Sequence, residues 1–153
     1  MSGDEGAVQN NVPEIVGYTT GAFDLFHVGH LNILRRAAAA CDRLIVGVST
    51  DELVLEEKRQ SPVIPFAERV EIVAAIKGVD AVVPEHDVHK LFAWEQHRFQ
   101  RIFKGSDWEG SERWRHFEVE FAARGVEVVY FPYTMVTSST ALREALAALG
   151  GRR

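Results

Sequence analysis

Short runs rich in valine, isoleucine and aromatic residues alternate along the chain with longer segments whose apolar positions recur every three or four residues. The short runs predict β-strands at Glu14 to Thr20, Arg43 to Ser49, Asp80 to Pro84, Arg101 to Gly105 and Val126 to Phe131. The helical periodicity predicts helices at Val28 to Cys41, Phe66 to Gly78 and Ser111 to Gly125, and a last one from about Ser139 to Leu149. Strand alternating with helix implies βαβ units. The expected fold is therefore α/β: a single Rossmann-like domain with a parallel five-stranded sheet and helices on both faces. Met1 to Pro13 is polar and glycine-containing, and is expected to be a disordered tail before a domain spanning residues 14–150. No internal repeat is seen.

Composition narrows the partners. The 153 residues are 46% hydrophobic and 25% charged, which suits a globular protein able to bury one core. A formal net charge of −5 argues against broad nucleic-acid binding, which needs a positive surface, but leaves room for a basic pocket holding a small anion. No apolar run approaches the roughly 20 residues that span a bilayer, and the acidic, amide-rich start lacks the pattern of a signal peptide. A cytoplasmic protein that does not engage a membrane is expected. Cys41 stands alone, so it forms no intrachain disulfide and is expected to be a small buried residue.

In a parallel sheet of this kind, ligands sit beyond the carboxyl ends of the strands, where helix N-termini supply amide donors. Two segments fall there: "GAFDLFHVGH", Gly21 to His30, after the first strand, and "PYTMVTSST" after the last. Gly21 can adopt backbone conformations closed to other residues and allows close approach of a ligand. His27 and His30 are three apart, so on a first helical turn they project to one side, beside Gly29 and the unpaired helix amides. Two imidazoles aimed at one phosphate can donate hydrogen bonds as charge builds in a transition state. A zinc site of Asp24, His27 and His30 and an ordinary core histidine are the competing readings.

"GAFDLFHVGH" resembles the G-x-F-D-x-x-H-x-G-H signature of the cytidylyltransferase-like nucleotidyltransferases. "VSTDEL", "ERVEIVAAIKGVDAVVP", "FKGSDWEG" and "FPYTMVTSST" resemble, in order, later segments of that family's glycerol-3-phosphate cytidylyltransferases. The likeness runs from about Val16 to Ala145. It implies an enzyme that joins CTP to a small phosphorylated alcohol, glycerol 3-phosphate being favoured, with release of pyrophosphate. An adenylyltransferase using ATP, and a regulatory module that binds nucleotide without turnover, are the alternatives. Magnesium bridging the phosphates, and a homodimer, are implied by the same resemblance.

The resemblance also implies site residues. His27 and His30 would bind the triphosphate and stabilise the transition state. Gly21, Ala22, Phe23 and Gly29 would present backbone to the nucleotide, while Asp24 would order the loop or hold the metal indirectly. "SSTALR" resembles the element that closes the site in relatives, so Thr137, Ser138, Ser139 and Thr140 would meet phosphates, with Arg143 one turn into the helix. In "EEKRQ" Lys58 best matches a catalytic lysine of a mobile loop, Arg59 being the other candidate. Arg69 would contact substrate phosphate, and Lys104, Gly105, Asp107 and Trp108 would line the nucleotide or alcohol pocket. The chain departs from the pattern at Ala22, where relatives have threonine, and in "YTMVTSS", where Tyr133, Met135 and Val136 replace arginine, glutamate and glycine; Tyr133 is expected at the nucleotide, where a phenol can stack on a base or donate one hydrogen bond but cannot neutralise phosphate.

Overall fold

A computed structural model describes residues 12–132 and 138–150. In chain order it comprises β1 (Val16–Gly21), α1 (Val28–Ala39), β2 (Arg43–Ser49), α2 (Asp51–Lys58), α3 (Phe66–Ala74), β3 (Ala81–Glu85), α4 (Lys90–His97), β4 (Arg101–Gly105), a 3-10 turn (Ser106–Trp108), α5 (Glu112–Ala122), β5 (Glu127–Phe131) and α6 (Ser139–Gly150). The five strands form one sheet in the order β3-β2-β1-β4-β5, every pair parallel. The chain leaves the centre first toward β3 and then, from β4, toward β5. The point of reversal lies between β1 and β4, where open α/β sheets form their ligand crevice.

Alternation along the strands divides the core. Leu44, Val46 and Val48 of β2 pack with Phe103 against Leu34 and Ala37 of α1 and Val73 of α3. Ile45, with Tyr18 and Ile102, faces the other way, against Trp114, Phe117 and Phe121 of α5 and Leu91, Ala93 and Trp94 of α4. Helices thus cover both faces, as the strand pattern requires of a parallel sheet. Cys41 is only partly buried, its thiol bonded to the Ala37 carbonyl at 3.2 Å.

Two elements depart from the sequence-based expectation. Asp51–Lys58, for which no helix was expected and whose end overlaps the Glu56 to Gln60 stretch likened to a mobile loop, is a helix whose start is capped by Thr50, the hydroxyl accepting from the Leu53 amide at 3.1 Å. It ends at Arg59, which takes the left-handed conformation with φ 53°. Lys90–His97 is a second short helix, eight residues long and unanticipated. The expected tail lies, up to residue 11, outside the described residues.

Gly17 of β1 sits where a side chain has no room: a Cβ there would lie 2.5 Å from the Phe103 ring and 2.7 Å from Cys41 Sγ. Gly17→Ala is expected to cost about 1–3 kcal/mol by overpacking. Denaturant unfolding measures this as a lower midpoint with an unchanged slope.

Candidate active site

A cavity of about 350 Å³ opens at the carboxyl ends of β1, β4 and β5, at the reversal point. Its floor comes from Thr19, Thr20 and Gly21, its walls from the loop after β1, the face of α1, Lys58, the turn after β4 and the start of α6. Arg36, Lys58 and Lys104 bring three cations to it, so a chain of net charge −5 carries a locally basic cleft.

The loop Ala22–Phe26 is held open by one buried aspartate. Asp24, 1% exposed, accepts from the Val63 and Ile64 amides, each at 2.8 Å, and from Arg143 Nη2 at 3.2 Å. Its own carbonyl accepts from the Ser139 hydroxyl at 2.6 Å. One residue therefore joins the β1 loop, the segment before α3 and the start of α6. Burial opposes ionisation of Asp24, but the Ile64 and Val63 amides and the Arg143 guanidinium outweigh it and hold the carboxyl below its ordinary value. Phe23 and Leu25 take left-handed backbone, φ 51° and 49°, so the strained conformation expected of Gly21 falls on its neighbours.

Arg69 is the second tie. It is 1% exposed and donates to the carbonyls of Ile64 (2.8 Å), Ala22 (2.7 Å) and Ser49 (2.8 Å), and to Asp51 Oδ1 (2.7 Å). The expectation that Arg69 meets substrate phosphate is corrected here. Its donors are spent on the backbone that shapes the cleft, and it does not line the cavity.

The two histidines cap α1 reciprocally. His27, the residue before the helix, accepts from the Gly29 amide through Nδ1 at 3.0 Å, and His30 Nδ1 accepts from the His27 amide at 3.2 Å. A backbone N–H can only donate, so each Nδ1 carries a lone pair and the ring proton of each neutral imidazole resides on Nε2. The rings stack with centroids 3.9 Å apart. Burial, then the charges of His27 and Lys58, push His30 down to about 3 against the opposing pull of Asp24, and burial lowers His27 as well. Both are neutral donors at physiological pH. The zinc reading is corrected by the same geometry: both Nδ1 atoms and the Asp24 carboxylate are committed, and no group of three or more potential ligands is poised for a metal among the described residues.

The other expected residues divide. Ala22, Phe23, Gly29, Lys58, Lys104, Gly105, Asp107, Trp108, Ser138, Ser139 and Thr140 all line the cavity. The Ser138 hydroxyl caps α6 by accepting from the Ala141 amide at 3.0 Å, so of the three hydroxyls Thr140 is the one that lies exposed. Arg143 stands behind the wall, paired with Asp24, rather than on the lining. Lys58 faces the cavity and Arg59 does not. Tyr133 and Thr137 lie outside the described residues.

Sequence reasoning missed Thr19, Thr20, Phe131, Pro132, Asn32, Ile33 and Arg36. The last three continue from Gly29 at helical spacing on one face of α1, a signal present in the sequence.

A parallel α/β sheet with its cleft at the strand reversal and a histidine-capped helix beside it defines a Rossmann-like nucleotide-binding protein. The cytidylyltransferase-like family model matches residues 18–145. Glycerol-3-phosphate cytidylyltransferase of Bacillus subtilis is 35% identical over 138 residues, 86% of this chain and 96% of that protein. The bifunctional protein HldE of a Bradyrhizobium strain is 38% identical over 128 residues, 83% of this chain and 26% of that protein. Among solved structures, the lipopolysaccharide core biosynthesis protein of Thermoplasma volcanium shares the fold with a TM-score of 0.68 at 21% identity, covering 82% of this chain and all of that one. The chain belongs to the cytidylyltransferase-like family and is a nucleotidyltransferase. No helix among the described residues is long and apolar enough to cross a membrane.

Asp24 yields a test. Its folded-state value is depressed below the unfolded 3.8, so its contribution is present above about pH 4 and is lost as pH falls through that value toward the lower folded one. Asp24→Asn is expected to cost about 2–4 kcal/mol at pH 7, since it leaves Arg143 unpaired and weakens two amide bonds. The difference from wild type should shrink when unfolding is measured at pH 3.

Proposed function

We propose that this enzyme transfers CMP from CTP to a small phosphorylated alcohol, glycerol 3-phosphate being favoured, and releases pyrophosphate and a CDP-alcohol. The observation that carries the reading is the pair of neutral imidazoles that spend Nδ1 on the helix cap and keep their ring protons on Nε2, in a cleft lined by three cations. The Bacillus relative, similar over nearly its whole length, supports CTP and glycerol 3-phosphate as the substrates.

The reaction asks little covalent chemistry of the protein. An oxygen of the acceptor phosphate, already deprotonated, attacks the α-phosphorus of CTP, and the bond to the β-bridging oxygen breaks as pyrophosphate leaves. No general base is needed, so histidines held neutral suit the task. They donate hydrogen bonds to the α-phosphoryl oxygens as charge develops, from positions fixed before substrate arrives. Lys58, Lys104 and Arg36 neutralise the remaining phosphate charge. The helix start at Ser138 to Thr140 supplies amides and the Thr140 hydroxyl to the β- and γ-phosphates.

The residues present suit magnesium entering on the triphosphate: no preformed cage is found among the described residues, and Asp107 is the exposed carboxylate on the lining. Bound there, the ion would offset charge on the phosphates.

A second reading keeps the chemistry and replaces CTP with ATP. It is favoured by the departures from the family pattern at Tyr133, Met135 and Val136 in the last loop, which bear on the choice of base.

Pyrophosphate release with magnesium, measured for CTP, ATP, GTP and UTP against a panel of alcohol and sugar phosphates, decides between them. CTP with glycerol 3-phosphate should turn over fastest; turnover with ATP and not CTP would move the assignment to the second reading. Nucleotide binding without turnover of any pair would leave a regulatory module. Within the active pair, His30→Asn retains an acceptor for the His27 amide but removes Nε2–H. It should lower kcat by about 100- to 1000-fold with little loss of stability.

A further inference from the structure

Two tryptophans grip Lys104 at the cavity, and one of them stands outside every motif of the sequence. Strand alternation sends Lys104 off β4 on the side of Ile102, the face covered by α5. Its Nζ lies 5.0 Å from the centroid of the Trp108 ring and 5.7 Å from that of Trp114, both within reach of a cation–π contact. Among the described residues neither a hydrogen bond nor an ion pair holds this ammonium. One serine sets both rings: Ser111 donates its hydroxyl to the Trp108 carbonyl at 2.8 Å and, as the cap of α5, accepts from the Trp114 amide at 3.4 Å. Trp108 ends the 3-10 turn and is 41% exposed on the cavity lining. Trp114 is buried in the core, in T-shaped contact with Phe117 and Tyr130, and does not line the cavity.

A clamp of rings does what an ion pair would not. A carboxylate partner would fix the ammonium but cancel its charge, whereas a ring face attracts a cation through its quadrupole and carries no net charge. Lys104 is thus held in place with its whole charge left for an incoming anion. Fixing so long a side chain beforehand also removes an entropy cost from binding. The side of the sheet decides which anion. The histidines cap α1, which covers the opposite face, and the start of α6 takes the β- and γ-phosphates in the reading above. Lys104, on the α5 face, is left for the acceptor.

We propose that Trp114 is a positioning residue for the reaction: from the core, and with Trp108, it clamps Lys104 as the seat for the phosphate of the acceptor. The proposal rests on the assignment of Lys104 to substrate phosphate made above.

The test is a double-mutant cycle on the full chain, read with whichever nucleotide and phosphorylated alcohol of the panel turn over fastest, CTP and glycerol 3-phosphate being expected. Trp114→Leu should raise KM for the alcohol phosphate about 3- to 30-fold, with kcat and KM for the nucleotide little changed. Trp114→Phe, which keeps a ring face, should recover most of that loss. In a Lys104→Met background, Trp114→Leu should add no further rise, which a purely structural role would not produce. Should Trp114→Leu fail to fold, Trp108→Leu, at the exposed ring, carries the same expectations through the same cycle. A rise of equal size with and without the Lys104 ammonium overturns the proposal, as does a rise in KM for the nucleotide in place of the acceptor. Lys104→Met that leaves KM for both substrates unchanged overturns instead the assignment of Lys104 to phosphate.

Discussion

The cleft depends on the buried carboxylate of Asp24. Four segments meet at or beside it: the loop after β1, the stretch before α3, the start of α6 and, through Arg69, the end of β2. The first two and the last bring backbone N–H or C=O groups that the sheet does not satisfy, which would cost about 1–3 kcal/mol apiece if buried unpaired, while α6 brings the Ser139 hydroxyl and the Arg143 guanidinium. Asp24 supplies the acceptors and Arg69 the donors, so the two side chains substitute for a ladder where the strands end. Without that substitution the loop could not keep Phe23 and Leu25 in left-handed backbone.

Within this frame the first turn of α1 meets its capping requirement with imidazoles. Serine, threonine, aspartate or asparagine would cap as well or better, but none offers a second polar atom on the far side of a rigid ring. A histidine that spends Nδ1 on the helix has its orientation and its tautomer fixed together, and presents Nε2–H without further support. Capping and catalysis are thus carried by the same two residues. The cost is that neither ring is free to take up a proton, since that would lose a cap bond and place like charges 3.9 Å apart. This restriction suits a displacement in which the nucleophile arrives already ionised.

Much of this was legible in the sequence. Two of the strands, Arg43–Ser49 and Arg101–Gly105, fall where the apolar runs lie, because strands buried on both faces are short and continuous in hydrophobicity. The short helices α2 and α4 escaped because eight residues carry barely two turns of periodicity; α2 advertised itself only through Thr50 and the acids that follow. The Gly21–His30 segment announced a site, and its residues do gather at one cavity. What the sequence could not reveal was the division of labour. Arg69 looked like a substrate ligand and is structural, because its partners are carbonyls remote along the chain. Arg143 is held behind the wall for the same kind of reason, its partner being Asp24, 119 positions away. Conversely, Arg36 and Asn32 lie at readable helical spacing from Gly29, beyond the end of the Gly21–His30 motif.

The most direct test of the account is the protonation of the two histidines in the free protein, observed by ¹⁵N NMR of the imidazole nitrogens across pH 4 to 8. The reciprocal cap requires His30 to be neutral over that whole range, His27 to titrate below its ordinary value of 6.5, and both to carry the proton on Nε2 at pH 7. Protonated Nδ1 on either ring at pH 7, or a His30 that titrates near 6.5, would contradict it.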